Sequence, residues 1–156
     1  DRSGGGVTLS GGEPLFYWEW ARQLFRAFKE AGLHTCLDTS LYAPVAAIDA
    51  LMPYTDMWLP DFKASDDELH QRCTGVKLAP IKRNLEHLVK AGAKLEVRML
   101  VVPGLTDGAD VPARHAYLRG LGIPDKAVVE LEYFDYARSK YLALGMEDTM
   151  PPKPAK

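Results

Sequence analysis

The stretch VTLSGGEP at residues 7–14 contains the change from strand to helix on which the fold prediction depends. Residues 7–10 predict a short strand, and Pro14 suits the first turn of a helix because proline has no N–H group to leave unpaired there. Apolar residues then recur every three or four positions, which predicts one amphipathic helix that ends where Gly32 follows Ala31. The apolar positions of this helix are Leu15, Trp18, Ala21, Leu24, Phe25 and Phe28.

The same alternation of strand and helix continues along the chain. Further strands are predicted at residues 34–39, 57–62, 95–102 and 128–134, with helices at 45–52, 79–90 and 111–121 and a short helix within 64–75. Five alternating cycles predict parallel strands joined by right-handed crossovers. This pattern leaves two α/β folds open, a βα barrel and a doubly wound sheet.

Composition limits the class of protein. With 156 residues, 47% hydrophobic and 26% charged, the chain predicts one globular domain over residues 1–150, followed by a Pro/Lys tail at 151–156. A net charge of -2 with scattered Lys and Arg argues against a nucleic-acid partner. No apolar run approaches the roughly 20 residues that span a bilayer, so a cytoplasmic protein is expected. Cys36 and Cys73 are too few and too far apart to predict a disulfide framework or a metal site.

Polar residues follow the predicted strands at the points where those strands end. They are residues 10–13, Asp38, residues 61–63 and Arg98. The carboxyl ends of parallel strands form the ligand-binding edge of βα folds, so these side chains are expected to converge. A carboxylate beside two glycines can receive an ammonium group, while Lys63 and Arg98 can hold a carboxylate or phosphate. The edge therefore suits a zwitterion such as an amino acid.

Each of these residues also has a structural interpretation. Residues 11–13 could form a tight turn with a carboxylate at the start of a helix, and Asp38 could cap a helix. Asp61 and Lys63 share one face of a strand and could form an ion pair. Arg98 lies within an apolar strand, where an unpaired guanidinium is costly, so it requires partners in either interpretation.

Several ordered segments carry a resemblance to a known family. They are residues 3–14, 31–39, 60–63, 67–70 with 74–76, 98–104 with 106–107, and 140–145. Together they resemble the radical S-adenosylmethionine enzymes that activate glycyl-radical enzymes. The resemblance implies an α/β fold, a partial (β/α)6 TIM-like barrel of parallel strands with outer helices, with the first strand and the cluster loop missing.

The resemblance also implies roles for the strand-end residues. Gly11, Gly12 and Glu13 are expected to hold the amino end of S-adenosylmethionine. Lys63 is expected to handle the methionine carboxylate and its neighbouring groups, together with Asp61 and the backbone of Phe62.

Three further residues take roles from the same resemblance. Asp38 is expected to hold a cation together with Asp61, and Arg98 is placed with the cofactor-binding set. Phe134 falls where relatives carry a histidine near the adenosyl group, so stacking is possible there but a side-chain hydrogen bond is not.

The family reaction implies cofactors and partners. A reduced [4Fe-4S] cluster cleaves S-adenosylmethionine, and the resulting radical abstracts hydrogen from a glycine of a partner such as pyruvate formate-lyase. A flavodoxin or ferredoxin is the implied electron donor. The three cysteines that ligate the cluster lie upstream of the Gly-Gly-Glu strand in the family, and Cys36 and Cys73 do not replace them. The chain alone is therefore expected to be inactive, although its full-length parent would be an activase.

Two other functions remain open from the sequence. One is a non-catalytic barrel remnant that binds S-adenosylmethionine or docks a partner protein. The other is an unrelated αβ barrel enzyme that holds a phosphorylated metabolite at residues 11–12 and a helix N-terminus. An incomplete barrel would also leave a strand edge exposed, which predicts self-association.

Overall fold

The computed structural model of the chain describes residues 5–148 and residue 150. Its strands are β1 (Gly6–Leu9), β2 (His34–Thr39), β3 (Met57–Pro60), β4 (Val97–Val101) and β5 (Val128–Glu132). Its α-helices are α1 (Trp18–Glu30), α2 (Val45–Leu51), α3 (Asp67–Thr74), α4 (Ala79–Lys90), α5 (Asp110–Gly120) and α6 (Arg138–Ala143). Short 3-10 helices cover Pro14–Tyr17, Met52–Tyr54 and Asp125–Ala127. The predicted tail at 151–156 lies outside the described residues.

The strands are parallel and follow one another in chain order. β2 pairs with β1 and β3, while β4 pairs with β5. Backbone hydrogen bonds join β3 to the residues just before β4, from Trp58 N to Lys94 O and from Glu96 N to Trp58 O, both 2.9 Å. A doubly wound sheet requires a reversal of strand order, which the described strands do not show. The α/β fold is thus a partial parallel barrel that does not close, as the resemblance implied.

The hydrophobic core lies between the sheet and the helices. Alternate strand residues face it, including Leu37 on β2 and Trp58 on β3, each buried. From the helices, Phe25, Ile48 and Leu85 complete the same core cluster. The opposite face of the strands carries half-buried and exposed residues, so the concave side of the partial barrel stays open to ligands.

Some predicted boundaries were wrong, for identifiable reasons. The first helix begins with a 3-10 turn at Pro14, and α6 was not predicted. β3 ends at Pro60 rather than at residue 62, because beyond Pro60 the chain alternates between neighbouring strands. Asp61 N donates to Thr39 O of β2 at 2.9 Å, and Phe62 N donates to Arg98 O of β4 at 2.8 Å. Asp61 and Phe62 thus lie between β2 and β4, at the carboxyl end of β3.

No helix in the described part of the chain is long and apolar enough to cross a membrane.

Candidate functional site

A cavity of about 300 Å³ opens at the carboxyl ends of β1 to β4 and is called here the rim cavity. It is lined by Ser10, Gly11, Gly12, Glu13, Asp38, Thr39, Ser40, Asp61, Lys63 and Arg98. Seven of the nine residues predicted for cofactor binding are among them. Phe62 and Phe134 are not.

An ion network crosses the floor of the rim cavity. The Arg98 guanidinium contacts the carboxylate of Asp38 and lies 3.4 Å from Asp61 Oδ1, while Lys63 Nζ lies 2.9 Å from Asp61 Oδ2. Ser10 Oγ donates to the other Asp38 oxygen at 2.6 Å. Burial opposes the charge on Arg98, but hydrogen bonds and attraction to the two carboxylates raise its pKa above the ordinary value.

This network changes one prediction. A cation site was expected between Asp38 and Asp61, and the Arg98 guanidinium takes that position. No group of three or more His, Cys, Asp or Glu side chains suited to a metal ion occurs among the described residues. Arg98 was also predicted to need partners because it lies within an apolar strand. Asp38 and Asp61 are those partners. Lys63 and Asp61 form the ion pair that the structural interpretation expected.

Glu13 holds the loop after β2 to the start of the first helix. One carboxylate oxygen accepts hydrogen bonds from Leu15 N at 3.1 Å and Thr39 Oγ1 at 2.6 Å. The other accepts from Ser40 N at 2.8 Å and Ser40 Oγ at 2.5 Å. Four donors occupy both oxygens, so the geometry favours the structural interpretation of Glu13 over direct contact with a ligand ammonium.

Gly11 and Gly12 contribute open backbone to the rim cavity. Gly11 has φ of 110°, a conformation that side chains rarely adopt, which explains why glycine is needed there. Nothing lies within 4 Å of the place where a Cβ atom would be on either residue. No hydrogen bond between these two backbones and another described residue is present. Their amide and carbonyl groups are therefore available to a ligand.

Phe62 is fully buried rather than part of the cavity wall. Its ring stacks on Tyr117 with the centroids 5.4 Å apart. Its N–H group donates to Arg98 O, and its carbonyl accepts from Arg114 Nη1 at 3.1 Å. The predicted ligand contact through the Phe62 backbone does not fit, because both backbone groups already have partners.

Phe134 lies beyond the end of β5, 40% exposed. Its ring stacks on Tyr136, with centroids 5.3 Å apart and planes at 4°. Because Phe134 does not line the rim cavity, its predicted stacking on an adenosyl group stays a prediction.

Sequence reasoning missed three residues at or beneath the rim cavity. Ser40 binds Glu13, and only the proximity of the two loops reveals this. Arg114 and Asp110 form a buried pair on α5 that contacts the segments carrying Lys63 and Arg98. In the sequence, Asp110 and Arg114 are an acidic and a basic residue four positions apart on one predicted helix. This pattern is more often found on a solvated helix face than in a buried pair.

The cysteines do not form a cluster site. Cys36 is on β2 and Cys73 on α3, and burial raises the pKa of each thiol above its ordinary value. Cluster ligation needs thiolates, so protonated thiols on separate elements do not fit it. Cys36 and Cys73 therefore do not provide the ligands of a [4Fe-4S] cluster.

Parallel βα units with a charged, glycine-flanked cavity at the carboxyl ends of their strands define a βα-barrel protein with its ligand site at the rim. Residues 1–111 match the family model described as Radical SAM superfamily. The chain belongs to that superfamily. This membership overturns the alternative of an unrelated αβ barrel for phosphorylated metabolites.

Comparison with curated relatives identifies the group within the superfamily that the chain resembles. The chain is 38% identical over 160 residues to pyruvate formate-lyase 1-activating enzyme of Escherichia coli K12, a match that covers 97% of this chain and 64% of that protein. It is 36% identical over 148 residues to (2S)-3-sulfopropanediol dehydratase activating enzyme of Klebsiella oxytoca, covering 94% of this chain and 47% of the relative. The predicted resemblance to glycyl-radical-enzyme activases is confirmed. The chain spans about half to two thirds of the length of these relatives.

A solved structure supports the fold. A domain of pyruvate formate-lyase-activating enzyme from Bacteroides vulgatus superposes with a TM-score of 0.65 at 20% identity, covering 83% of this chain and 99% of that domain. At this identity the likeness establishes the partial barrel alone.

Proposed function

We propose that the rim cavity binds the methionine end of S-adenosylmethionine. The observation that carries this proposal is the position of Lys63 on a cavity that also contains the open backbone of Gly11 and Gly12. A lysine ammonium has three donors, and within the described residues Lys63 uses one, toward Asp61. The remaining donors suit a ligand carboxylate, while glycine carbonyls suit a ligand ammonium.

The neighbouring charges orient rather than bind the ligand in this proposal. Asp38 and Asp61 hold Arg98 through one guanidinium nitrogen, which fixes the floor of the cavity. The Arg98 Nε is buried without a partner among the described residues, while Lys63 keeps spare donors at the cavity. Glu13 keeps the loop after β2 in place. The site thus offers a positive group and neutral backbone acceptors in one cavity, which matches an amino-acid zwitterion.

Bound S-adenosylmethionine supplies a sulfonium group whose reductive cleavage yields a carbon radical in this superfamily. The ligands of the reducing cluster are not among the residues of this chain, so we propose that the chain alone binds the cofactor without cleaving it. The 156-residue chain purified anaerobically, with iron and sulfide supplied, should retain neither at cluster stoichiometry. Retention of both would contradict this part of the proposal.

For the full-length protein we propose activation of a glycyl-radical enzyme. The relatives named above are activating enzymes of pyruvate formate-lyase and of (2S)-3-sulfopropanediol dehydratase, which supports this partner class without choosing a member. A cytoplasmic location and a flavodoxin or ferredoxin electron donor are part of the same proposal.

A non-catalytic role has one observation in its favour, the lack of a cluster ligand set in this chain. In that case a barrel remnant would bind S-adenosylmethionine or dock a partner without radical chemistry. The coding sequence upstream of Asp1 distinguishes the two functions. Three cysteines in C-x3-C-x2-C spacing favour the activase, and their absence favours the remnant.

Calorimetric titration with S-adenosylmethionine tests the site. The wild-type chain should bind, and Lys63→Ala should weaken binding by about tenfold or more, as expected for loss of a charge-assisted contact. Lys90→Ala, an exposed lysine on α4, is the matched control and should bind like wild type. Absence of binding by wild type, or equal binding by Lys63→Ala, would contradict the proposed site.

We also propose self-association of this chain through the β1 edge. Among the described strands β1 pairs only with β2, and beside it lies an apolar groove of about 650 Å³. Phe16, Tyr17 and Trp20 line this groove and are 73%, 74% and 58% exposed. An open strand edge beside exposed aromatic rings favours association with a second copy.

Sedimentation velocity at micromolar concentration tests this association. Trp20→Lys should shift the chain toward monomer, whereas Tyr136→Lys, at an exposed aromatic beyond β5, should leave the distribution unchanged. A wild-type chain that sediments only as monomer would contradict the proposal.

A further inference from the structure

A buried ion pair on α5 contacts the segments that carry Lys63 and Arg98 of the rim cavity. Arg114 is 0% exposed, and its Nε lies 2.8 Å from Asp110 Oδ2, one helical turn earlier. The two atoms are not aligned for a hydrogen bond, so attraction between the charges holds this contact. Burial lowers the pKa of Arg114 from its ordinary value, and Asp110 opposes that shift. A pair so costly to bury needs a reason to be there.

Asp110 and Arg114 contact the backbone just before and just after Lys63. Arg114 Nη1 donates to the carbonyl of Phe62 at 3.1 Å, which fixes the peptide group that leads into Lys63. Asp110 Oδ1 accepts from the N–H group of Ser65 at 2.8 Å, two residues after Lys63. The backbone is therefore held on both sides of the lysine that faces the cavity.

The same guanidinium reaches the strand that carries Arg98. Arg114 Nη1 also donates to Leu100 O at 3.1 Å, and Nη2 donates to Thr106 O at 2.7 Å. Leu100 lies two residues after Arg98 on β4, and Thr106 lies in the loop that follows β4. One side chain thus joins the carboxyl end of β4 to the segment after β3.

We infer that Asp110 and Arg114 are positioning residues for Lys63. They make no contact with the rim cavity and act by fixing the distance between the Lys63 segment and β4. This inference rests on the proposed S-adenosylmethionine site and extends it to two residues of α5. Displacement of a binding group by about 1 Å can cost up to a hundredfold in function, so loss of the pair should be measurable in ligand affinity.

The experiment compares three variants of the 156-residue chain. Arg114→Lys keeps the charge opposite Asp110 but replaces the separate Nη1 and Nη2 atoms, which donate to three carbonyls, with a single nitrogen. Asp110→Leu with Arg114→Met removes both charges, so that no unpaired ion remains buried. Arg119→Met is the matched control, because Arg119 is an exposed arginine on the same helix that pairs only with Asp125 among the described residues.

The dissociation constant for S-adenosylmethionine is measured by calorimetry at a temperature where circular dichroism shows each variant to be folded. A purely structural role lowers stability but leaves the affinity of folded molecules unchanged. We expect the dissociation constant to rise about tenfold or more in both pair variants and to stay constant in Arg119→Met. Equal affinity in wild type and a folded pair variant would overturn the inference.

Backbone amide NMR separates failure of this inference from failure of the proposed function. If the wild-type chain binds no S-adenosylmethionine, the proposed site fails, and the amide signals of Lys63 and Ser65 decide the inference. Their displacement in Arg114→Lys but not in Arg119→Met would support positioning by Arg114. Unchanged signals for both residues in Arg114→Lys would overturn it.

Discussion

The two ends of the parallel sheet both carry carboxylates paired with cations, and the pairs at the carboxyl end line the rim cavity. At the amino end, Asp56 lies just before β3 and pairs with Lys29 of α1 at 2.6 Å. It also accepts hydrogen bonds from Thr35 N at 2.9 Å and Thr35 Oγ1 at 3.1 Å. The hydrogen bond from Lys29, together with those from Thr35, lowers the pKa of Asp56 to about 2. This carboxylate is fully engaged in holding α1, β2 and β3 together.

At the carboxyl end, Lys63 also pairs with a carboxylate, but not all of its hydrogen-bond donors are used. Lys63 shares Asp61 with Arg98 and retains donors that no described residue uses. The difference teaches that an ion pair alone does not mark a binding site. In parallel βα folds the amino end contributes mainly stability and the carboxyl end carries function, and the spare donors of Lys63 at the carboxyl end agree with this rule.

The largest expected effect tests whether every rim residue serves a ligand. Glu13→Ala removes the acceptor of four hydrogen bonds and leaves the buried hydroxyl of Thr39 and the half-buried donors of Ser40 unpaired. We expect the free energy of unfolding to fall by about 3 kcal/mol, measured by urea denaturation. Glu13→Gln, which keeps one oxygen, should lose roughly half as much. A stable Glu13→Ala chain would mean that this carboxylate is held for a ligand instead.

The next effect concerns the amino end. Asp56→Asn should lower the free energy of unfolding by about 1 to 2 kcal/mol at pH 7, after allowance for solvent screening of the partly exposed pair. The folded pKa of about 2 lies below the ordinary value of 3.8, so the stabilisation is present above pH 3.8 and is lost as the pH falls toward 2. Wild type and variant should therefore converge in stability near pH 2. A difference that persists there would show that the contribution of Asp56 is not its charge.

A smaller effect on stability is expected for the rim lysine. Lys63→Ala should change the free energy of unfolding by about 0.5 kcal/mol or less, because its pair with Asp61 is partly exposed. Thermal denaturation of this variant, beside its loss of S-adenosylmethionine binding, sharpens the contrast with Asp56. A large loss of stability would place Lys63 with the structural residues.

The smallest expected change in the free energy of unfolding is for an exposed ion pair on α1, which serves as the baseline for the other variants. Arg26 and Glu30 form an exposed pair four residues apart on α1. Arg26→Ala should produce no measurable change in urea denaturation, since exposed pairs of this kind contribute little. A clear destabilisation would mean that the differences expected at the two ends of the sheet do not report burial and hydrogen bonding.

Local patterns in the sequence predicted most elements and failed where tertiary contacts intervene. The helix at 79–90 was predicted with both bounds as observed, because Ile81, Leu85 and Leu88 form one apolar face and Ala91 with Gly92 ends it. Val45 is apolar but 49% exposed, because it is the first residue of α2 and lies beyond the reach of the core. β3 was predicted too long, because the change of hydrogen-bonding partner after Pro60 depends on the position of β4.

The sequence by itself determined the α/β alternation, the superfamily and which polar residues meet at the carboxyl ends of the strands. Hydrophobic periodicity, glycines at helix ends and short motifs are local features, so they can be recognised from the sequence alone. Only the tertiary structure decided which of those residues remain available to a ligand. Arg98 and Asp38 are 60 residues apart, and Arg114 and Phe62 are 52 apart. Contacts at such separations depend on how the strands and helices pack, which no local pattern specifies.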